Sequence, residues 1–435
     1  MQQKIGNVRW TICALVFFAT TINYLDRAVI SLLKDTLDEN KIIVGDAAYS
    51  NVEIVFKITY AIGLLIAGGI IDKMGTKKGY AWATGLWSLS AVGHALAKNV
   101  FTFSIARAAL GLTEAGNFPA AIKTTAEWFP RKERALATGL FNSGANIGAI
   151  VAPLTVPFIA VNFGWEWAFV ATGLTGFIWL IVWNQYYHTP ATHPKITPQE
   201  LAYINSDLAP IEENAAPVVE KKYSWFKLLG YKQTWAFVIG KFLTDPIWSF
   251  YLFWLPDFLK SQYHLTKTEI ALPVAAVYTL SVIGSIGGGW IPLKLISNKW
   301  PVFRARKTSM LMYAFLVFPI LFAQYLGSLN MWLAVLVIGI AAAAHQAWSA
   351  NIFTTVSDMF PKQTVGSVTG IGGMFGAIGG IFLSLFVQKN LFVYYRDLKQ
   401  IETAYYIMFA WCAIAYLLAW LIMHLLVPKV NVIED

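Results

Sequence analysis

Residues 10–33 read WTICALVFFATTINYLDRAVISLL, a predominantly apolar run interrupted near its far end by Asp26-Arg27. At 1.5 Å per residue such a run covers the roughly 30 Å of a bilayer's hydrocarbon. A charge in hydrocarbon costs about 2.5–3.5 kcal/mol or more unless it faces a partner or a watery cavity. The same anomaly recurs down the chain, where Lys57, Arg107, Glu114, Lys241 and Asp245 interrupt other long apolar stretches. Charges kept at that cost mark a place where something polar binds or passes.

The composition agrees with membrane residence. The 435 residues are 57% hydrophobic and 13% charged, and the mean hydropathy is +0.54, outside the soluble globular range. Twelve spans are read at about 10–33, 52–71, 79–97, 101–123, 136–160, 166–187, 233–259, 270–293, 308–327, 330–353, 364–388 and 402–426. The period-2 alternation of an outer-membrane barrel is absent, so the expected class is an all-α polytopic membrane protein. The net charge of +9 is a topology signal, not a nucleic-acid footprint, because Lys and Arg alternate between loops. Lys4, Arg9, Lys73, Lys77, Lys78, Arg131, Lys132, Arg134, Lys294, Lys299, Arg304, Arg306, Lys307 and Lys362 fall on one side. The positive-inside rule then places both termini in the cytoplasm and the chain in the inner membrane, with anionic lipid as a secondary partner. Cys13 and Cys412 both lie in apolar spans, which indicates neither a disulfide framework nor a metal cluster. The first span lacks a small-residue cleavage site and is expected to stay.

The organisation is bipartite, with domains expected at 1–187 and 231–435 and a cytoplasmic linker at 188–230. The linker holds Glu212-Glu213 and Lys221-Lys222, and one short helix is expected over Pro198–Leu208 with Thr197 as its N-cap. Phe129-Pro130 and Thr138-Gly139 recur as Phe360-Pro361 and Thr369-Gly370 at an offset of 231 residues, which also carries Gly148 onto Gly379 and Asp26 onto Asp257. Four matches at one offset indicate a duplicated six-helix unit, hence two pseudo-symmetric bundles with a site near the midplane between them.

Gly68-Gly69-Ile70-Ile71-Asp72-Lys73-Met74-Gly75-Thr76-Lys77-Lys78 resembles the loop 2–3 signature of the major facilitator superfamily, in which Asp72 and the following lysines would form a cytoplasmic charge lock. Arg131 and Arg134 would serve the same gating. Tyr24-Leu25-Asp26-Arg27, Arg107 through Pro119 with its Glu114, Glu127 through Arg134, and Phe141 through Gly148 together resemble the anion:cation symporter family. Ala344-His345-Gln346-Ala347 and the Lys241, Asp245, Pro246, Trp248 run are similar to bacterial hexuronate transporters. This similarity covers nearly the whole chain outside the linker. It implies that Asp26 and Glu114 couple protons and that Arg27, Tyr60 and Lys241 bind substrate. Ala145 departs from the pattern, standing where some sugar-acid relatives carry a polar side chain.

Helix rise tests whether these charges can meet. Asp26, Lys57 and Arg107 each fall about 7 Å outward of their spans' centres, Glu114 about 3 Å inward, and Tyr60 near the centre. Arg107 and Glu114, seven apart, share a helix face. Three cations (Arg27, Lys57, Arg107) against two carboxylates suit an anionic substrate, which a guanidinium can grip with two parallel hydrogen bonds. Lys241 adds a cation from the other half, and Tyr24 and Tyr60 offer hydroxyls and flat faces to a polyhydroxylated ring. Asn351 and Thr354 are candidate hydroxyl-binding partners. A substrate anion competing for an arginine that a carboxylate holds would favour protonation of that carboxylate, which is proton symport.

Plainer readings exist for each residue. Arg107 with Glu114, and Lys241 with Asp245, could be static ion pairs; Asp26-Arg27 could snorkel to the outer interface. Asp257 reads as an interface residue, His94 and His345 as packing histidines, and Trp248, Trp254 and Trp348 as packing or anchoring rings. The glycine runs at 284–289 and 370–380 lack the Lys-Ser/Thr of a phosphate loop and lie in spans, so no nucleotide and no cofactor is expected; the proton gradient supplies the drive. No nucleophile–base or metal constellation suggests an enzyme. The expected function is therefore proton-coupled import of a sugar acid, a hexuronate such as galacturonate or glucuronate, by a monomer. The alternatives are an exchanger for organic anions or phosphate esters, and a symporter for aldonates.

Overall fold

The computed structural model describes residues 5–207, 225–265 and 269–429, and among them every regular element is helical. Six long passes form the first half: α1 (Val8–Leu32), α2 (Gly45–Met74), α3 (Thr76–Gly93), α4 (Val100–Glu114, resuming as Asn117–Trp128), α5 (Arg131–Phe163) and α6 (Trp165–Tyr186). Six more form the second: α7 (Lys232–Tyr263), α8 (Ala271–Ser297), α9 (Val302–Val317, continued through Leu329), α10 (Met331–Met359), α11 (Val365–Phe382) and α12 (Ile401–Leu426). Nine of these, among the described residues, are long and apolar enough to cross a membrane on length and composition. The other three are α3, α4 and α7. The first is short and begins Thr-Lys-Lys, the second is broken, and the third carries Lys241, Asp245 and Asp257.

Two helices carry a proline that removes a backbone hydrogen bond near the charged residues. Pro119 has no N–H to offer the carbonyl four residues back, and α4 breaks at Ala115-Gly116. An Asn99 capping box starts α4: Asn99 Oδ1 accepts from the Thr102 amide (2.9 Å) and Thr102 Oγ1 accepts from the Asn99 amide (3.2 Å). In α7, Pro246 likewise leaves the Phe242 carbonyl without its helical donor, between Lys241 and Asp245 and the rest of the helix.

The halves meet through α5 on α8 and α2 on α11. A Cβ at Gly139 of α5 would run into the Ser285 carbonyl of α8, and one at Gly370 of α11 into the Leu64 carbonyl of α2. The two Thr-Gly pairs separated by 231 residues thus do the same work at related interfaces: each lets a helix backbone approach the opposite half closely. Contacts between halves concentrate at the end that carries both termini. There Arg134 Nη1 donates to the Ser357 carbonyl (2.7 Å), Arg306 Nη2 to the Arg131 carbonyl (2.6 Å), and Thr138 and Thr354 hydroxyls lie 3.3 Å apart. The Asp72 carboxylate accepts from the amides of Gly366 (3.1 Å) and Ser367 (2.6 Å), the first turn of α11, where the helix dipole favours an anion.

The expected linker helix is present but shorter, Pro198–Ile204, with the Thr197 hydroxyl capping the Glu200 amide at 3.2 Å. Its fully buried Glu200 accepts from the amides of Val8 and Arg9 and from Arg9 Nη1 (3.2 Å), so the linker caps the start of α1. Leu208, Lys4, Glu212-Glu213 and Lys221-Lys222 lie outside the described residues.

Candidate functional site

Arg27 is the centre of the polar layer in the first half. Its Nε donates to Glu114 Oε2 (3.1 Å) and its Nη2 to Asn23 Oδ1 (3.3 Å). Three rings surround the guanidinium, with Tyr60 at 4.5 Å, Tyr24 at 4.9 Å and Phe56 at 5.3 Å from its carbon. Cation–π contacts contribute from about 0.5–1 kcal/mol at exposed sites to about 2 kcal/mol or more when desolvated; the cage orients Arg27 while Glu114 balances its charge. Glu114 is fully buried, whereas the Arg27 side chain keeps 24% exposure. Of the pair, Arg27 is thus the partner that keeps accessible surface.

Arg107 and Glu114, on one face of α4, were the obvious partners, and they are not paired. Arg107 Nη2 instead donates to Glu53 Oε1 of α2 at 2.6 Å, and its guanidinium lies 4.4 Å from the Phe56 ring. The reason is reach: neighbouring helices bring Glu53 and Arg27 closer than two turns of the same helix bring the pair. Glu53 was missed by sequence reasoning, because an acid at the very start of the span read at 52–71 reads as an interface residue, whereas the helix begins at Gly45. Removing its charge leaves a 1% exposed guanidinium unpaired, which costs about 3 kcal/mol or more for a buried pair. Glu53→Gln is accordingly expected to lower the melting temperature of the purified protein; no change would mean that Arg107 has another counter-charge.

Asp26 behaves differently from its neighbour. Consecutive helix residues point about 100° apart, and while Arg27 turns to Glu114, Asp26 is 1% exposed and neither carboxylate oxygen has a hydrogen-bond partner among the described residues. The nearby Thr172 hydroxyl of α6 donates to the Phe169 carbonyl (3.3 Å). The plainer reading, in which Asp26 snorkels to the outer interface, does not fit this position: Asp26 is buried inside the first bundle, beside Glu114 and Thr172.

In the second half, Lys241 Nζ and Asp245 Oδ2 are 2.6 Å apart, one turn from each other on α7. Lys241 Nζ also lies 3.9 Å from the Phe353 ring centroid. Phe353 stacks on Phe118 (5.2 Å, 16°), and Phe118 meets Tyr24 edge-on at 6.5 Å. An aromatic floor therefore runs from the Arg27 cage to Lys241 across the two halves. Trp248 is stacked on His345 (5.2 Å, 7°), whose Nδ1 is 2.6 Å from the Tyr416 hydroxyl.

Lys57 is half-buried on α2, one turn from Glu53 and from Tyr60. Asn351 and Thr354 are not brought to the Arg27 cage. Asn351 Nδ2 donates to the carbonyls of Gly288 (2.7 Å) and Ala347 (2.9 Å), and the Thr354 hydroxyl bonds the Ala350 carbonyl (2.6 Å), so their donors are taken up in helix packing, while Asn351 Oδ1 is buried with no partner among the described residues. Asp257 accepts from the Tyr405 hydroxyl near the surface. Among the gating candidates, Asp72 pairs with Lys123 Nζ (2.7 Å), a residue not singled out from sequence, while Lys73 is exposed. Arg131 acts through its backbone, its amide bonded to Asp207 and its carbonyl to Arg306. Arg134 alone of the two arginines reaches across with its side chain.

A two-bundle helical membrane fold with a charged, aromatic-lined site between its halves defines a membrane transporter and not an enzyme, and residues 16–384 match the Major Facilitator Superfamily. The chain belongs to that superfamily. The hexuronate transporter of Escherichia coli (strain K12) is 31% identical over 390 residues, covering 88% of this chain and 88% of the relative. The galacturonate transporter of Dickeya chrysanthemi is 33% identical over 290 residues, 67% of this chain and 83% of its own. A probable galactarate/D-glucarate transporter of Bacillus subtilis (strain 168) is 27% identical over 388 residues, covering 87% and 84%. The fold is shared with the proton:xylose symporter XylE, with a TM-score of 0.72 at 16% identity over 95% of both chains.

Proposed function

We propose that this chain imports a sugar acid, a hexuronate such as galacturonate or glucuronate, across the cytoplasmic membrane by proton symport. The observation that carries the reading is the Arg27–Glu114 bond inside its cage of Tyr24, Phe56 and Tyr60. A substrate carboxylate that takes the open side of Arg27 weakens its hold on Glu114, and a fully buried Glu114 without its cation favours a proton. Asp26, without a donor among the described residues, is the second proton carrier. The tyrosine hydroxyls and ring faces suit the hydroxyls and apolar face of a pyranose. The hexuronate and galacturonate transporter names of the relatives support the same substrate class.

Alternating access then consists of rocking residues 1–187 against 231–435, with 188–230 as linker and both termini in the cytoplasm. On this orientation the contacts of Asp72, Arg134 and Arg306 close the cytoplasmic side. Uptake of radiolabelled galacturonate into proteoliposomes, with and without an inward proton gradient, tests the reading. Accumulation only with the gradient, competed by glucuronate, supports it. Uptake indifferent to the gradient replaces it with anion exchange, and no uptake of any sugar acid removes the substrate class.

A further inference from the structure

The two cations on the aromatic floor are covered in opposite ways. At Arg27 the cation is the exposed partner, 24% against 0% for Glu114. At Lys241 the order is reversed: the side chain is 5% exposed and Asp245 is 27% exposed. A ligand lying along the floor therefore meets a guanidinium at one end and a carboxylate at the other. The Asp245 end is built, not incidental. A Cβ at Gly376 of α11 would collide with the Asp245 carboxylate, so α11 leaves that oxygen its room, and Lys241 one turn back holds it at 2.6 Å. Tyr24, a wall of the Arg27 cage, lies within electrostatic reach of Asp245 across the two halves.

We propose that Asp245 is a specificity-determining residue that accepts hydrogen bonds from the hydroxyl end of a sugar monoacid and rejects sugar diacids. This rests on the sugar-acid reading above. A monoacid places its carboxylate on Arg27 and its far hydroxyls, all donors, toward Asp245. A diacid of the same carbon length must put its second carboxylate against Asp245, and like charges in a site of low polarity discriminate strongly. With Asp245 neutral, the buried Lys241 becomes a second uncovered cation and the diacid fits both ends.

The experiment measures inhibition of galacturonate uptake by glucuronate and by galactarate in the wild-type protein, in Asp245→Asn, and in Gly376→Ala, which displaces the carboxylate without removing it. In the wild-type protein galactarate is expected to inhibit at least roughly tenfold more weakly than glucuronate, a difference of one buried charge contact. In both variants the ratio shifts at least roughly tenfold toward the diacid, and Asp245→Glu keeps the wild-type preference. Equal inhibition by the two acids in the wild-type protein overturns the proposal, as does a ratio unchanged in the variants. A wild-type protein that takes up no sugar acid removes the parent reading, a separate result visible before any variant is compared.

Discussion

Asp26→Asn is expected to abolish gradient-driven accumulation of sugar acid while leaving counterflow exchange in place. An inward gradient of about two pH units, coupled to one proton per substrate, supports roughly 100-fold accumulation, since each unit is about 1.36 kcal/mol. The variant should settle near equal concentrations on both sides. The amide matches the shape of the protonated acid, and no donor among the described residues is lost with the carboxylate, so little destabilisation is expected. Glu114→Gln should differ: it also uncouples transport, but it leaves Arg27 without its counter-charge, so substrate binds with weaker pH dependence. Accumulation that survives in Asp26→Asn would transfer the coupling role to Glu114 alone.

What the sequence displays and what it hides divide along a physical line. Span count, the two halves and the charged layer were legible because hydrophobic length and the cost of intramembrane charge are properties of single segments. The Thr-Gly repeat was legible as well, and its reason emerged only with the backbones of α5 on α8 and α2 on α11 in contact. Pairings were not legible, because they depend on how each helix is rotated about its axis. Depth alone could not say that Glu114 would go to Arg27 and Arg107 to Glu53. Lys123, the partner of Asp72, lies in the segment beyond the α4 break, where a lysine reads as one more basic residue of an inner loop. The repeat itself misleads at Asp26 and Asp257: the same offset puts one inside a bundle with no hydrogen-bond partner among the described residues and the other at the surface beside Tyr405 and Arg396. Asn351 and Thr354, polar and one turn apart, looked like ligands for hydroxyls, but helix carbonyls took up their donors.

Arg27→Ala is expected to raise the KM for galacturonate at least roughly 100-fold, the equivalent of one lost bidentate charge-assisted bond of about 3 kcal/mol. Arg27→Lys should lie between, because an ammonium keeps the charge but cannot present two parallel donors or lie flat among Tyr24, Phe56 and Tyr60. The single alanine variant carries an ambiguity of its own, since it strands Glu114 in a fully buried position, a penalty of about 3–5 kcal/mol that could empty the membrane of folded protein. The double variant Arg27→Ala with Glu114→Gln separates the two effects. It removes the stranded charge, so thermal stability should recover toward that of the wild-type protein, while the KM stays as high as in the single variant. If uptake recovers together with stability, Arg27 serves only to neutralise Glu114, the pair is a static brace between α1 and α4, and the anion site must be sought at Lys57 or Lys241.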